Sequence, residues 1–274
     1  VFQFEQMMLD QQKGKGKWDL APLPFVEMKK SYAKWQKELH GAGWNSLFLN
    51  NHDLPRIVSR WGDDTGYREM SAKALATMLH GMQGMPYIYQ GEELGMTNVC
   101  WPIEKYRDLE TLNMYHERKA QGVPEEEIMR SIHVKGRDNA PMQWDDSTHA
   151  GFTTGTPWID VNENYHSIHA KAALENTDSV FYYYQKLIAL RKQYPVFVFG
   201  DFRLLEENHP QLFVYERSFE GEKLLIVCNL SGQEVSYALP QDWQDSEVLI
   251  ANAEGGLNGI FSPWQAMVLH KKNA

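Results

Sequence analysis

The spacing of apolar residues changes along the chain and divides it into two regions. In the first region apolar side chains recur every three or four residues, which predicts amphipathic helices, and continuous apolar runs between them predict buried strands. The predicted helices are 25–39, 67–82, 106–121, 124–133 and 178–193, and the predicted strands are 1–4, 44–49 and 85–89. Strands and helices in alternation are typical of a parallel α/β fold, either a barrel or a doubly wound sheet.

Of these two folds the barrel is favoured, because each predicted strand ends in a polar segment, where barrel enzymes carry their active sites. After Pro195 the pattern changes to short strands in which apolar and polar residues alternate between Gly, Asn and Pro turns, as in an antiparallel β-sandwich. We therefore predict an α/β domain at 1–195 and a sandwich domain at 196–274. The predicted sandwich strands are 203–205, 212–218, 223–230, 235–239, 247–251 and 265–270.

Composition and charge limit the binding partners and the cellular compartment that we expect for this chain. The formal net charge of −9 would repel phosphate groups, so we expect neither nucleic acid nor an anionic membrane surface as a partner. No apolar run of about twenty residues predicts a membrane span. The two cysteines, Cys100 and Cys228, form no secreted disulfide framework, which favours a cytoplasmic location. No signal peptide is visible, but the chain opens without Met, so that absence carries no weight.

A cluster of polar residues follows the predicted strand 44–49. Asn50, Asn51, His52 and Asp53 come directly after its apolar run, and Pro55 prevents the strand from continuing. Together they offer a carboxylate, an imidazole and amide groups to one small polyhydroxylated ligand. The alternative is a capped turn in which Asp53 accepts backbone hydrogen bonds and His52 packs, as most His-Asp pairs do.

The segment 48–56 resembles the fourth signature region of glycoside hydrolase family 13, the α-amylase family. Its flanking sequence is similar to the oligo-1,6-glucosidase and dextran glucosidase branch of that family. The resemblance continues, in the same order, through 83–98, 136–145, 150–154 and 157–159, and it covers essentially the whole chain.

This resemblance implies the C-terminal part of a (β/α)8 TIM barrel, strands six to eight, followed by the antiparallel β-sandwich. It also implies a retaining α-glucosidase that hydrolyses α-1,6 or α-1,4 bonds of short oligosaccharides. The family's nucleophilic Asp and acid Glu follow barrel strands four and five, so both would lie upstream of residue 1. The chain alone is therefore predicted to be inactive, and to need the N-terminal half of the barrel or an oligomeric partner. Trehalose-6-phosphate hydrolase and a non-catalytic accessory fragment remain alternatives.

The resemblance also assigns roles to individual residues. Asp53 would be the transition-state stabiliser that holds sugar hydroxyls, with His52 and Asn51 beside it. Arg137 would reach the same sugar, and Glu110 would lie near the neighbouring subsite. The alternatives are an ion pair of Arg137 with Asp138 and a solvated helix face for Glu110. Members of the family usually carry two further residues between the positions of Ala140 and Pro141.

We expect neither a metal nor an organic cofactor in this chain. His149, His166 and His169 have no Cys or HExxH partner and are predicted to be loop histidines. The family's structural calcium, where it is present, binds a loop that would precede residue 1. The segment 14–17 lacks the spacing of a phosphate-binding loop and is predicted to be a solvated loop.

Overall fold

The structure, a computed structural model, describes residues 2–137 and 139–272, and its helices and strands follow the predicted order. The five predicted helices are present, each with ends within three residues of those predicted. Three short helices were not predicted, namely the second, sixth and eighth. The helices are α1 (Phe25–Glu38), α2 (Ile57–Arg60), α3 (Arg68–His80), α4 (Leu109–Ala120), α5 (Glu125–Lys135), α6 (Ala170–Glu175), α7 (Val180–Gln193) and α8 (Pro195–Phe199).

Two short parallel strands form the described part of the barrel sheet. β1 (Ser46–Leu47) pairs with β2 (Met85–Pro86), and both lie inside the predicted strands. The prediction of a strand at residues 1–4 is wrong for residues 2–4, which lie outside every strand, and residue 1 lies outside the described residues. A strand requires a hydrogen-bonded ladder. Phe2 and Phe4 instead pack against Phe48, one ring tilted and the other edge-on, with ring centroids 5.6 and 5.3 Å apart.

The C-terminal region is built on a five-stranded antiparallel sheet, with a smaller two-stranded sheet beside it. The strands are β3 (Asp201–Leu205), β4 (Leu212–Phe219), β5 (Glu222–Asn229), β6 (Val235–Ser236), β7 (Glu247–Ala251), β8 (Ile260–Phe261) and β9 (Ala266–Lys272). The larger sheet has the order β3-β4-β5-β9-β7, and the smaller one pairs β6 with β8, a strand that was not predicted.

The central strands of this sheet are buried on both faces. The predicted alternation of apolar and polar residues is therefore wrong for β4, β5 and the first half of β9, where consecutive residues are buried. One face, with Phe213 and Ile226, packs in a core shared with the barrel helices. The other face, with Leu225, packs with Trp243 and Phe261 of the second layer.

Close backbone contact joins the sheet to the barrel helices. The hydroxyl of Tyr215 in β4 donates to the carbonyl oxygen of Met78 in α3 at 2.7 Å. At Gly81, directly after α3, an added Cβ would lie 2.1 Å from that hydroxyl. Only glycine allows this approach, so the chain must turn there without a side chain.

Three cationic side chains near this boundary donate to backbone carbonyl groups, and two of them, Lys29 and Arg217, cross it. Lys29 of α1 is fully buried and donates to the carbonyls of residues 206, 209 and 212, at 2.6 to 2.9 Å. Arg217 of β4, also fully buried, donates to the carbonyls of residues 81, 197 and 200. Arg191 of α7 reaches the carbonyls of residues 80, 82 and 84. These contacts satisfy helix ends and loop carbonyls that would otherwise be buried without donors.

Candidate functional site

The polar cluster after β1 forms a tight turn, which we call the Asp53 turn (residues 50–54). The side-chain oxygen of Asn51 accepts a hydrogen bond from the backbone N–H of Asp53 at 2.8 Å, and the Asn51 carbonyl accepts from Leu54 at 3.1 Å. This turn holds the Asp53 carboxylate half exposed, 3.4 Å from Nε2 of the exposed His52. Asn51 caps the turn, and the Asp53 side chain stays available to a ligand.

Arg137 lies against the Asp53 turn, although 84 positions separate Arg137 from Asp53 along the chain. Its Nη1 is 3.2 Å from Oδ1 of Asp53. The predicted alternative, a pair with Asp138, lies outside the described residues. A half-exposed guanidinium beside a half-exposed carboxylate can bind adjacent hydroxyl groups of one sugar, with Arg137 donating and Asp53 accepting.

Glu110, at the start of α4, lies on the far side of Arg137. Its Oε2 is 3.6 Å from Nη2 of Arg137 and 2.7 Å from Nζ of Lys17. Asp108, which caps α4 through the Thr111 N–H, is 3.9 Å from Nε of Arg137. Glu110 is therefore not on a purely solvated helix face, and Lys17 is paired to the site rather than simply solvated. Neither contact was predicted from the sequence.

A buried ionic cluster lies behind these residues, and we call it the Asp10 cluster. Its members are Asp10, Arg60, Trp61 and Lys135. The Asp10 carboxylate accepts from Nε and Nη2 of Arg60 at 2.8 and 2.7 Å, from the indole N–H of Trp61 at 3.1 Å, and from the Lys135 ammonium.

The Asp10 cluster stays charged at neutral pH. Burial alone would raise the pKa of Asp10, but the Arg60 and Lys135 cations outweigh it and lower that pKa to about 2. Burial, reinforced by repulsion from Arg60, lowers the pKa of Lys135 to about 8. The sequence could not reveal this cluster, because 50 and 125 positions separate Asp10 from its two cationic partners.

A second buried polar set joins α3, α7 and the segment after β2. The hydroxyl of Tyr184 donates to Oε1 of Glu92 at 2.8 Å, and the ring of His80 packs edge-on against Tyr184. Burial raises the pKa of Glu92 to about 7, against the effect of the Tyr184 bond. Burial and the nearby Arg191 charge lower the pKa of His80 to about 3, and neither ring nitrogen has a partner among the described residues.

An open cavity of about 240 Å³ lies beside the segment that comes after Arg137, and residues 139–141 form part of its lining. Trp158, whose side chain is 80% exposed, and Phe152 give it aromatic faces, and Gln90 and Asn139 give it amide groups. Aromatic faces beside hydrogen-bonding groups suit sugar rings, which have apolar faces and polar edges. None of these four residues was predicted as a site residue.

The three candidate metal histidines do not come together in a shared site. His169 accepts from the Ala172 N–H as the N-cap of α6, His166 packs on Tyr165, and His149 lies in a loop with φ of +56°. Within residues 2–137 and 139–272, no group of three or more His, Cys, Asp or Glu side chains could hold a metal ion. In the same part of the chain, no helix has the length and apolar character needed to span a membrane.

Comparison with known families accounts for both regions of the chain. Residues 1–200 match the family described as alpha amylase, catalytic domain. The chain belongs to the α-amylase family. Residues 202–251 match the maltogenic amylase C-terminal domain. The fold is therefore the C-terminal part of a (β/α)8 barrel followed by an antiparallel β-sandwich. The predicted domain boundary at residue 195 stays a prediction.

Individual relatives from the α-amylase family match nearly the whole chain. An oligo-1,6-glucosidase of Halalkalibacterium halodurans is 53% identical over 100% of this chain and 50% of its own length. A trehalose-6-phosphate hydrolase of Bacillus subtilis is 47% identical over 98% of this chain and 50% of its own length. The crystal structure of a Bacillus licheniformis trehalose-6-phosphate hydrolase has a TM-score of 0.95 at 46% identity, covering 100% of this chain and 51% of that one. The chain spans about half the length of the curated relatives it matches.

Proposed function

We propose that this chain forms the C-terminal half of a retaining α-glucosidase that hydrolyses α-1,6-glucosidic bonds of short oligosaccharides. The observation that carries the proposal is the pairing of Arg137 with Asp53, at 3.2 Å, on the Asp53 turn. The similarity to oligo-1,6-glucosidases supports the choice of bond, and α-1,4 bonds are a second substrate class.

Asp53 acts as the transition-state stabiliser in this proposal. As the glycosidic bond breaks, positive charge develops near the anomeric carbon of the sugar. A carboxylate that accepts hydrogen bonds from sugar hydroxyls binds this state more strongly than the ground state, which lowers the barrier. Arg137 fixes the direction of the carboxylate, and His52 and Asn51 complete the polar rim of the subsite.

The two carboxyl groups that break the bond come from the N-terminal half of the barrel. A retaining glycosidase needs a nucleophile and an acid/base on either side of the bond. We propose that the half-barrel that precedes this region in the relatives supplies both, together with any structural calcium, and that this chain needs no cofactor of its own. The free thiols Cys100 and Cys228 support a reducing, cytoplasmic setting.

Reconstitution tests this function directly. The chain is combined with the N-terminal half of the Halalkalibacterium halodurans oligo-1,6-glucosidase, and the mixture is assayed on isomaltose, maltose and trehalose 6-phosphate. We expect hydrolysis of isomaltose with release of the α-anomer, and no hydrolysis by the chain alone. A folded one-to-one complex that cleaves none of the three substrates would support a non-catalytic fragment.

Trehalose-6-phosphate hydrolysis is the second candidate, because relatives with that name are 46 and 47% identical to this chain. The same assay separates the two candidates. Preference for trehalose 6-phosphate over isomaltose by the reconstituted enzyme would replace the first proposal with the second.

A further inference from the structure

The Asp10 cluster connects the two segments that carry Asp53 and Arg137. Arg60 and Trp61 lie at the end of α2, which follows the Asp53 turn after only two residues. Lys135 is the last residue of α5, and Arg137 follows it after Gly136. One buried carboxylate therefore binds both segments, in addition to Asn98, which accepts from the Arg56 N–H and donates to the His133 carbonyl.

The connection from Lys135 to Arg137 is a single residue, Gly136, whose backbone position is fixed by its neighbours. Two residues span at most about 7 Å between Cα atoms, so the position of Lys135 limits where Arg137 can lie. The Gly136 N–H donates to the Ile132 carbonyl at 2.7 Å, and an added Cβ at Gly136 would lie 2.5 Å from that carbonyl oxygen. A shift of Lys135 would therefore be transmitted to Arg137.

The Arg137 guanidinium lies among three carboxylates, each beside a different nitrogen. Asp53, Glu110 and Asp108 all lie within 3.9 Å of its guanidinium, and about a third of its side chain is exposed. Exposed ion pairs of this kind contribute little and exchange readily. These exposed contacts alone hold the guanidinium only weakly, so the backbone position of Arg137 also decides how close its guanidinium lies to Asp53.

We propose that the buried Asp10–Lys135 ion pair is a positioning device that holds Arg137 against Asp53. Asp10 and Lys135 touch no substrate in this role and act only through Arg137. Arg60 and Trp61 fix the orientation of the Asp10 carboxylate, so that its remaining accepting position faces Lys135. The consequence for catalysis rests on the proposed function, whereas the consequence for the backbone does not.

The first test measures the backbone in the 274-residue chain by hydrogen exchange. Lys135→Met removes the pair but keeps the Asp10–Arg60 contact, whereas Asp10→Asn would leave two buried cations without a counter-charge and risks unfolding. The matched control is Lys73→Met, because Lys73 is equally buried and pairs with Asp178, on the connection into α7, at 3.1 Å. We expect amides at 134–137 to exchange about tenfold faster in Lys135→Met and unchanged in Lys73→Met.

The second test uses the reconstituted enzyme and a double-mutant cycle. We expect Lys135→Met to lower kcat/KM about tenfold, and to lower it no further when Arg137 is already replaced by alanine. A purely structural role would make the two losses additive, and additive losses would overturn the inference. Unchanged exchange at 134–137 would overturn it even in an active enzyme, whereas an inactive wild-type complex would overturn only the proposed function.

Discussion

The barrel region and the C-terminal sheet bury their apolar residues to different degrees. In the sheet, β5 is paired on both sides and covered on both faces, and Leu225 at its centre is fully buried. In the barrel region, β2 pairs with β1 on one side, and Met85 and Tyr87 are 58 and 46% exposed. The sheet is covered on one face by its second layer and on the other by the barrel helices, whereas the barrel region presents an apolar strand edge of the kind that other chain segments cover.

The two regions also differ in where their charged groups lie. Around Asp53 the charges are half exposed and face one another, as a ligand site requires. At the sheet boundary Lys29 and Arg217 are fully buried and bound to carbonyls. We infer that the barrel region carries the chemistry and the sheet carries much of the stability. Three predictions test this division, from the largest effect to the smallest.

The largest effect is expected at Asp53. Asp53→Asn in the reconstituted enzyme should lower turnover about a thousandfold, equivalent to about 4 kcal/mol of barrier, because a neutral amide cannot stabilise the developing positive charge. Steady-state kinetics measure this loss. The unfolding free energy of the Asp53→Asn variant should stay within about 0.5 kcal/mol of wild type, since the Asp53 side chain is half exposed.

The control for this change is Asp242→Asn, an exposed carboxylate in the sheet region that pairs with Lys271. It should leave turnover within about twofold of wild type. A similar loss in both variants would show that the chemistry is not confined to the barrel region.

The next effect concerns the sheet core. Leu225→Ala should lower the unfolding free energy of the chain by about 3 kcal/mol, because it leaves a cavity between closely packed layers. Met85→Ala, at the exposed strand edge, should change it by less than about 0.5 kcal/mol. Urea denaturation of the two variants measures both values, and equal losses would contradict the comparison.

The smallest effect is a dependence of the unfolding free energy on pH, which arises from two buried groups of the barrel region, His80 and Glu92. His80 has a pKa of about 3 in the folded chain and an ordinary value of 6.5, so stability falls as pH drops from 6.5 towards 3. Glu92 has a pKa of about 7 against an ordinary 4.5, so stability falls as pH rises from 4.5 to 7. Between pH 4.5 and 6.5 the two slopes oppose each other.

Single variants should therefore reveal each slope separately. In Glu92→Gln the unfolding free energy should rise with pH by about 1.4 kcal/mol per unit between pH 4.5 and 6.5. In His80→Phe it should fall by a similar amount. Denaturant titrations at pH 5 and 6 measure both slopes, and parallel curves for the two variants would show that neither group is buried as described.

Sequence patterns predicted the elements that have strong periodicity. The helices near α1, α3 and α7 were found because each has a full apolar face, whereas α2 and α6 are too short to show one. The burial of β4 on both faces could not be foreseen, because it depends on which layers pack against it. The segment 1–4 was predicted as a strand from its apolar run, but a ladder depends on a partner strand.

The candidate site also contains both residues that the sequence located and residues that it did not. The family resemblance located Asp53 and Arg137, and the structure brings them together, although their roles remain a proposal. Lys17 and the Asp10 cluster carry no local signal, because their partners lie from 50 to 125 positions away. Contacts of that kind follow from the completed fold and not from neighbouring residues.

The bonds that Lys29 and Arg217 donate across the sheet boundary have a consequence for how the chain melts. A carbonyl oxygen has no proton to gain in mild acid and no net charge for salt to screen, so these bonds hold where surface ion pairs weaken. Lys29 of the barrel region is bound by carbonyls of the sheet region, and Arg217 of the sheet is bound by a carbonyl of the barrel region. Unfolding of either region would therefore leave the cation of the other region without its acceptors. Heating the chain should therefore give one cooperative endotherm, in which the barrel region and the sheet melt together.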